Sequence, residues 1–347
     1  MVFGLFQGRV KKALLDARIA LAENNGANRA ILDQLRNYIL KATSNELAHM
    51  NLAQIATEWG LAREKLIPSF LHAAKAGVLE LHFVIHCQTC KGSGDVQTLK
   101  AVLHEMTCPA CKSQVLPALD RSVEALFLIN QEIANVRPQK TPSTVDYLLG
   151  IEVINTDEFR LFFEAEKPLP KEHILVNNLA FLFTDLSGST ATYERLGDGN
   201  AYKIVRDHFT ILFEEIKKHN GAVVKTIGDA VMATFLSPES AVACALQVKK
   251  EFDEFNKRRD VKGAAGIKIG IHAGRCLAVT LNQRLDFFGA TVNKAARVQG
   301  VAEKNQICLT QDVAQESAVA KLLAKIKTQT TRVVLKGIKK PVEVVCI

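Results

Sequence analysis

"AVVKTIGDAVMATF", residues 222–235, reads as two apolar runs that fold back on each other at Ile227-Gly228. Valine, isoleucine, threonine and phenylalanine suit strands, and a Gly-Asp pair between two such runs is a hairpin signal. The same pattern extends outward on both sides. "LAFLFTD" (179–185) is a strand, and the segment from Asp198 to His219 is helical. "SAVACALQVKKEFDEF" (240–255) spaces its apolar residues for a helix, and "IKIGIHAG" (267–274) and "CLAVTL" (276–281) are strands. The order is βαββαβ, which predicts an α+β, ferredoxin-like sandwich with helices packed on one face of a partly antiparallel sheet. A further helix, "GATVNKAARVQGVA", and the strands "QICLT" and "TRVVLKG…KPVEVVCI" complete the half.

Two acids interrupt this apolar scheme. Asp185 ends the strand of "FLFTDLSGST" (181–190), and Asp229 caps the hairpin just after Gly228. A lone strand-end aspartate is ordinarily a helix cap or a solvated end. Two that converge at one sheet edge repel unless a cation lies between them. Hard divalent ions, Mg²⁺ or Mn²⁺, are held by one or two carboxylates together with substrate phosphates. Gly188 permits a tight turn after Asp185, and the N–H groups of residues 186–190 at a helix start suit phosphate oxygens.

The remaining composition sets bounds. With 347 residues and 48% hydrophobic content, the chain can build two or three cores. No apolar run approaches the ~20 residues of a membrane span, and "MVFGLFQGRVKK" has its basic residues on the wrong side of the apolar stretch for a secretory signal. The cytoplasm is the expected compartment, so paired cysteines point to metal rather than disulfides. Residues 1–175 carry 19 Lys+Arg against 19 Asp+Glu, and residues 176–347 carry 25 against 17, so the second half holds the whole net charge of +8. A basic half suits a polyanion, either nucleic acid or a triphosphate.

Taken together, "FTDLSGST", "VVKTIGDAVMATF", "GIHAG", "RLDFFGATVNKAARVQG" and "VLKGIKKPVEV" resemble, in order and spacing, the catalytic domain of class III nucleotidyl cyclases over about residues 176–347. The resemblance implies a homodimer with active sites at the shared interface. It implies that Asp185 and Asp229, helped by the carbonyl of Leu186, hold two Mg²⁺ or Mn²⁺ ions. Lys225 and Asp286 match the pair that reads the purine. Asn293 and Arg297 match the catalytic residues that stabilise the transition state, and Lys336 matches a triphosphate-binding lysine.

The chemistry of these side chains agrees. A lysine donates to N1 of adenine and an aspartate accepts from its N6 amine, whereas guanine reverses both demands, so the pair favours ATP. Asn293 and Arg297 are four apart on a helix and share a face. An arginine there suits the charge that builds as the ribose 3′-oxygen displaces pyrophosphate from the α-phosphorus. The implied activity is that of an adenylate cyclase, a lyase making 3′,5′-cyclic AMP by two-metal in-line displacement for signal transduction. Lys225 and Asp229 are too close in sequence to surround one ligand, and the resemblance implies that they serve opposite sites of the dimer.

The first half divides into helices (1–45), a winged-helix-like region (46–86), a zinc-ribbon-like region (87–140) and a linker with strand content (141–175). Cys87-x₂-Cys90 and Cys108-x₂-Cys111, separated by 17 residues, have the spacing of a structural Zn²⁺ site with four thiolates and no open position. Cys244, Cys276, Cys308 and Cys346 lack ligand spacing and read as core or strand residues. The second helix of the winged-helix-like region offers Arg63, Lys65 and Lys75 against Glu64, and a neutral half argues against nucleic acid as a partner. Two rival functions remain: a catalytically silent domain that binds ATP as a signal, and a zinc-containing DNA-binding regulator.

Overall fold

A computed structural model of the chain describes residues 10–103, 105–137, 146–166, 168, 172–187, 198–259, 266–338 and 340–347. It divides into two units: residues 1–175 with 278–285, and residues 176–277 with 286–347.

The first unit opens with helices α1 (Lys12–Asn24), α2 (Arg29–Lys41) and α3 (Ser44–Ala48). Asn28 caps α2, and Thr43 forms a reciprocal capping box with Glu46 on α3, which satisfies the orphan N–H groups there. Next come α4 (Leu52–Trp59) and α5 (Arg63–Lys75), joined at Gly60, whose φ of 64° ends α4 in the left-handed conformation that glycine adopts freely. Strand β1 (Leu79–Ile85) follows. Its antiparallel strand partner is β4 (Val123–Ile129), with Leu79 opposite Ile129 and Ile85 opposite Val123, and immediately downstream it makes an isolated antiparallel bridge from Phe83 to Gln97. Between these partners lies the cysteine region, with the short hairpin β2 (Met106–Thr107) and β3 (Gln114–Val115). Trp59, Phe70 and Phe127 stack edge-on or tilted through this core.

The stretch read as a linker with strand content (141–175) holds two short helices, α6 (Gly150–Ile154) and α7 (Asp157–Phe162), and a strand begins within it at His173. Ile151, Val153, Ile154 and Phe159 are buried, and Thr156 caps α7 through the N–H of Phe159. Part of the local acidity that suggested a linker is the first turn of α7, where Asp157 and Glu158 favour the helix dipole.

The second unit carries the βαββαβ order over β5 (His173–Ser187), α8 (Asp198–Lys218), β6 (Gly221–Ile227), β7 (Ala230–Phe235), α9 (Pro238–Arg259) and β8 (Gly266–Leu281). The segments 267–274 and 276–281 are one long strand rather than two. Then come β9 (Arg284–Phe288), α10 (Ala290–Gln299), β10 (Gln306–Thr310), α11 (Gln311–Ala314), α12 (Ser317–Leu323), β11 (Gln329–Val333) and β12 (Val342–Cys346). The sheet runs β11-β12-β10-β8-β5-β7-β6, with β9 paired to β8. Pairing of β10 with β8 is parallel, whereas β5 with β7, β7 with β6, and β12 with its neighbours are antiparallel.

Period-two alternation sorts the strand residues onto two faces. Leu182, Ala233, Ile269, Ile271, Ile307, Leu309 and Val345 pack with Leu212 and Ile216 of α8 and with Ala241, Ala245 and Val248 of α9. Their neighbours Cys308, Val344 and Cys346 face the other way and pack with Val298 of α10. The helices therefore cover both faces, which corrects the one-face expectation. A helix following β9 has to cross the sheet on the side that α8 and α9 leave open. Cys308 and Cys346 are strand residues as read, register partners on β10 and β12, and they are joined by a disulfide that the expectation of reduced thiols did not include. Cross-strand pairing cannot be seen from a separation of 38 residues.

Candidate active site

The register of β5 against β7 carries the opening acids to one place. Phe183 lies opposite Met232, and the Thr184 hydroxyl accepts from the N–H of Val231 at 3.1 Å, so the next residue of β5, Asp185, approaches the hairpin tip. Gly228, at φ 63°, makes the tight return that projects Asp229 from that tip. Burial raises the Asp185 carboxyl above the usual range. The neighbouring charge of Asp229 pushes the same way, and Lys268 of β8 partly opposes it. Oδ2 of Asp229 is buried and finds no hydrogen-bond donor among the described residues. Mutual repulsion and an orphaned oxygen are what a cation would relieve, so this donor set fits hard divalent ions. Leu186 is at the same strand end, with its side chain buried. The turn at residues 188–190 lies outside the described residues.

Lys225 and Asp286, 61 positions apart, form an ion pair with Nζ 2.5 Å from Oδ2. The pairing of β6 with β7 shifts register between Val223 and Lys225, and such a bulge re-aims the side chain that follows it. Asp286 sits in the buried run of β9, and its Oδ1 accepts the N–H of Phe287 at 2.8 Å. Phe287 in turn packs edge-on against Phe181 of β5.

Asn293, Arg297 and Lys336 line one cavity of about 1020 Å³. The first two share the exposed face of α10, and the third comes from the β11–β12 connection. Helix α10 is seated by close contacts. Thr291 donates to the carbonyl of Arg275 at 2.5 Å, and a Cβ on Gly270 of β8 would lie 2.1 Å from the backbone N of Gln299. Arg275 is thus a strand residue anchoring the helix start. His272, at the cavity wall, donates to or accepts from Thr310 at 2.8 Å, and its pKa is lowered to about 4, mainly by burial. Lys294, Lys340, Asp312 and Glu343 also line the cavity. Sequence reasoning missed them, although Lys294 stands inside the "NKAAR" stretch. The cavity lining includes none of Asp185, Asp229, Lys225 and Asp286. Both pairs thus lie outside the cavity that holds Asn293, Arg297 and Lys336.

In the first unit, the sulfur atoms of Cys87, Cys90, Cys108 and Cys111 all lie within 4.8 Å of one another. Cys87 to Cys111 and Cys90 to Cys108 are both 3.6 Å, close to the ~3.8 Å edge of a tetrahedron with Zn–S bonds of about 2.3 Å. The two loops match. Lys91 N–H donates to Cys87 C=O and Lys112 N–H to Cys108 C=O, each at 2.9 Å, and both lysines are left-handed at φ 61° and 62°. The Ser113 hydroxyl and the N–H of Cys90 hold the Cys87 thiol down to about 5, which favours the thiolate a metal requires. His86, next to this group, is engaged elsewhere. It and His49 take the two oxygens of buried Glu124, at 2.7 and 3.0 Å. His104, which also neighbours the cysteine pairs in sequence, lies outside the described residues.

Among the described residues no helix is long and apolar enough to cross a membrane. Residues 172–347, just over half of the 347, match the model described as the adenylate and guanylate cyclase catalytic domain, and residues 15–151 match one described as a family of unknown function (DUF5939). An adenylate cyclase of Lachancea kluyveri is 33% identical over 40% of this chain and 8% of its own length. Adenylate cyclase 2 of Rhizobium meliloti is 24% identical over 50% of each chain. The chain thus spans at most half the length of these curated relatives. Among solved structures, the adenylyl cyclase CyaB from P. aeruginosa is 19% identical with a TM-score of 0.45, over 50% of this chain and 95% of that one. The guanylyl cyclase Cya2 is 22% identical with a TM-score of 0.44, over 49% and 90%. By its catalytic half, the chain belongs to the adenylate and guanylate cyclase catalytic domain family.

Proposed function

We propose that the chain converts ATP to 3′,5′-cyclic AMP and pyrophosphate as a homodimer. The observation that carries the reading is the Lys225–Asp286 ion pair. Its ammonium can turn to N1 of adenine while its carboxylate accepts from the N6 amine, and guanine offers the opposite groups. Asn293 and Arg297 hold the α-phosphate and balance the charge that builds in the transition state, and Lys336 holds the outer phosphates. The 3′-hydroxyl attacks the α-phosphorus in line, the bond to the β-phosphate oxygen breaks, and the hydroxyl proton passes to solvent. Asp185, Asp229 and the Leu186 carbonyl would hold two Mg²⁺ or Mn²⁺ ions, which supply activation of the 3′-hydroxyl and charge neutralisation of the phosphates.

Dimerisation is the simplest way to bring the two pairs and the cavity together. The carboxylates of one subunit complete the cavity of its twin, and Ile227 and Phe288, apolar yet 53% and 60% exposed beside the purine pair, are suited to burial there. Cys87, Cys90, Cys108 and Cys111 would hold a structural Zn²⁺ in the first unit. The test is to incubate the purified protein with ATP or with GTP plus Mn²⁺ and identify products by mass. Cyclic AMP from ATP in large excess over cyclic GTP from GTP is expected. Failure to cyclise either nucleotide while both bind would refute the reading in favour of a silent nucleotide sensor.

A further inference from the structure

The lining of the 1020 Å³ cavity holds more cations than the reading above employs. From α10 the lining takes Ala290, Thr291, Asn293, Lys294 and Arg297, and the β11–β12 connection adds Lys340 to Lys336. Lys294 differs from the surface lysines around it. Its side chain is only 22% exposed, and its ammonium lies 3.8 Å from a carboxylate oxygen of Asp312, itself 80% exposed. A pair at that distance, with one partner so open to water, is held weakly. The ammonium therefore has an alternative partner available whenever an anion enters the cavity. The same charge is felt at the cavity wall, where it helps to keep His272 neutral.

We propose that Lys294 is a further ligand of the polyphosphate, exchanging between Asp312 in the free enzyme and the β,γ-phosphates, later the pyrophosphate product, in the occupied one. The inference rests on the reading of this cavity as the triphosphate site. It assigns Asp312 a role of opposite sign: by competing for the same ammonium, it loosens the anion and hastens release of pyrophosphate. Lys294 is a binding residue, and Asp312 acts only through it.

Calorimetric titration of the full chain with inorganic pyrophosphate and Mg²⁺, in parallel with pyrophosphate inhibition of turnover, tests this. Lys294→Gln should weaken pyrophosphate about tenfold, the loss of one charged hydrogen bond, and Lys294→Arg should recover most of it. Asp312→Asn should tighten pyrophosphate by about two- to threefold, the scale of an exposed ion pair. In the double variant the Asp312 effect should vanish, leaving the affinity of Lys294→Gln alone. A purely structural Lys294 would not produce opposite signs that collapse in this way. Affinity of Lys294→Gln within twofold of the parent, or an Asp312→Asn gain that survives in the double variant, overturns the proposal. If pyrophosphate follows the pattern but ATP is never cyclised, the anion site stands and the cyclase reading falls.

Discussion

Gly270→Ala tests whether the seating of α10 on the sheet sets catalysis. A methyl group there would lie 2.1 Å from the backbone N and 2.3 Å from the Cα of Gln299. Carbon and nitrogen atoms rest about 3.5 Å apart, so the C-terminal turn of the helix must retreat by about 1.4 Å. The obstacle is backbone, so no side-chain rotation relieves it. Overpacking of this kind costs about 1–3 kcal/mol. Arg297 stands two residues before Gln299 and Asn293 one turn earlier, and both move with the helix. On the proposed reading, in which these two residues act on the transition state, a displacement near 1 Å costs about a hundredfold in rate. The expected result is a folded variant with a modestly lower Tm and kcat reduced by about two orders of magnitude. Activity should be measured well below the Tm of the variant, with circular dichroism as the check on folding. A kcat within threefold of the parent under those conditions would falsify the claim that α10 is positioned by contact with Gly270.

Two further outcomes follow from the buried groups. His208 and His272 are both held down to about 4, chiefly by burial, so each is neutral in the fold and takes a proton only when the chain unfolds. The stability they contribute is complete above about pH 6.5 and is lost as pH falls towards 4, by about 2 kcal/mol per residue between about pH 7.5 and about pH 5. Urea unfolding at the two pH values should show this, and His208→Leu should remove about half of the acid loss; an unchanged slope rejects the assignment. For the thiolate cluster, reduced protein should carry about one zinc per chain, and a chelator or Cys108→Ser should lower the melting transition of the first unit by several degrees. Metal-free protein that melts at the same temperature as the purified sample would exclude a structural ion.

The strands and helices of the catalytic half were legible because each carries its own period: alternation in 222–235, and a 3.6-residue spacing in 240–255. Asp185 and Asp229 stood out as charges in apolar surroundings, and the CxxC pairs as a ligand spacing. What stayed hidden depended on register or crossing. Nothing in the sequence says that β1 ladders with residues 123–129 across the intervening cysteine region, or that α10 takes the opposite face from α8 and α9. The bond between Cys308 and Cys346 depends on β12 falling beside β10 with those two residues opposite each other. Residues 150–162 were misread because a short helix with an acidic first turn looks, in composition, like a polar connection. Lys294 and Lys340 escaped notice because a lysine on a helix or loop is ordinarily solvated, and only the closure of the cavity distinguishes them.

The ion pair between Lys225 and Asp286 is lopsided: the lysine side chain is 40% exposed and the aspartate 8%. Losing the acid leaves an ammonium that can swing into water, whereas losing the base strands a carboxylate with little solvent to replace its partner. Exchange of these two residues is therefore ordered in time. If the pair reads the base as proposed, a lineage drifting towards a different nucleobase loses less fold stability by surrendering Asp286 before Lys225.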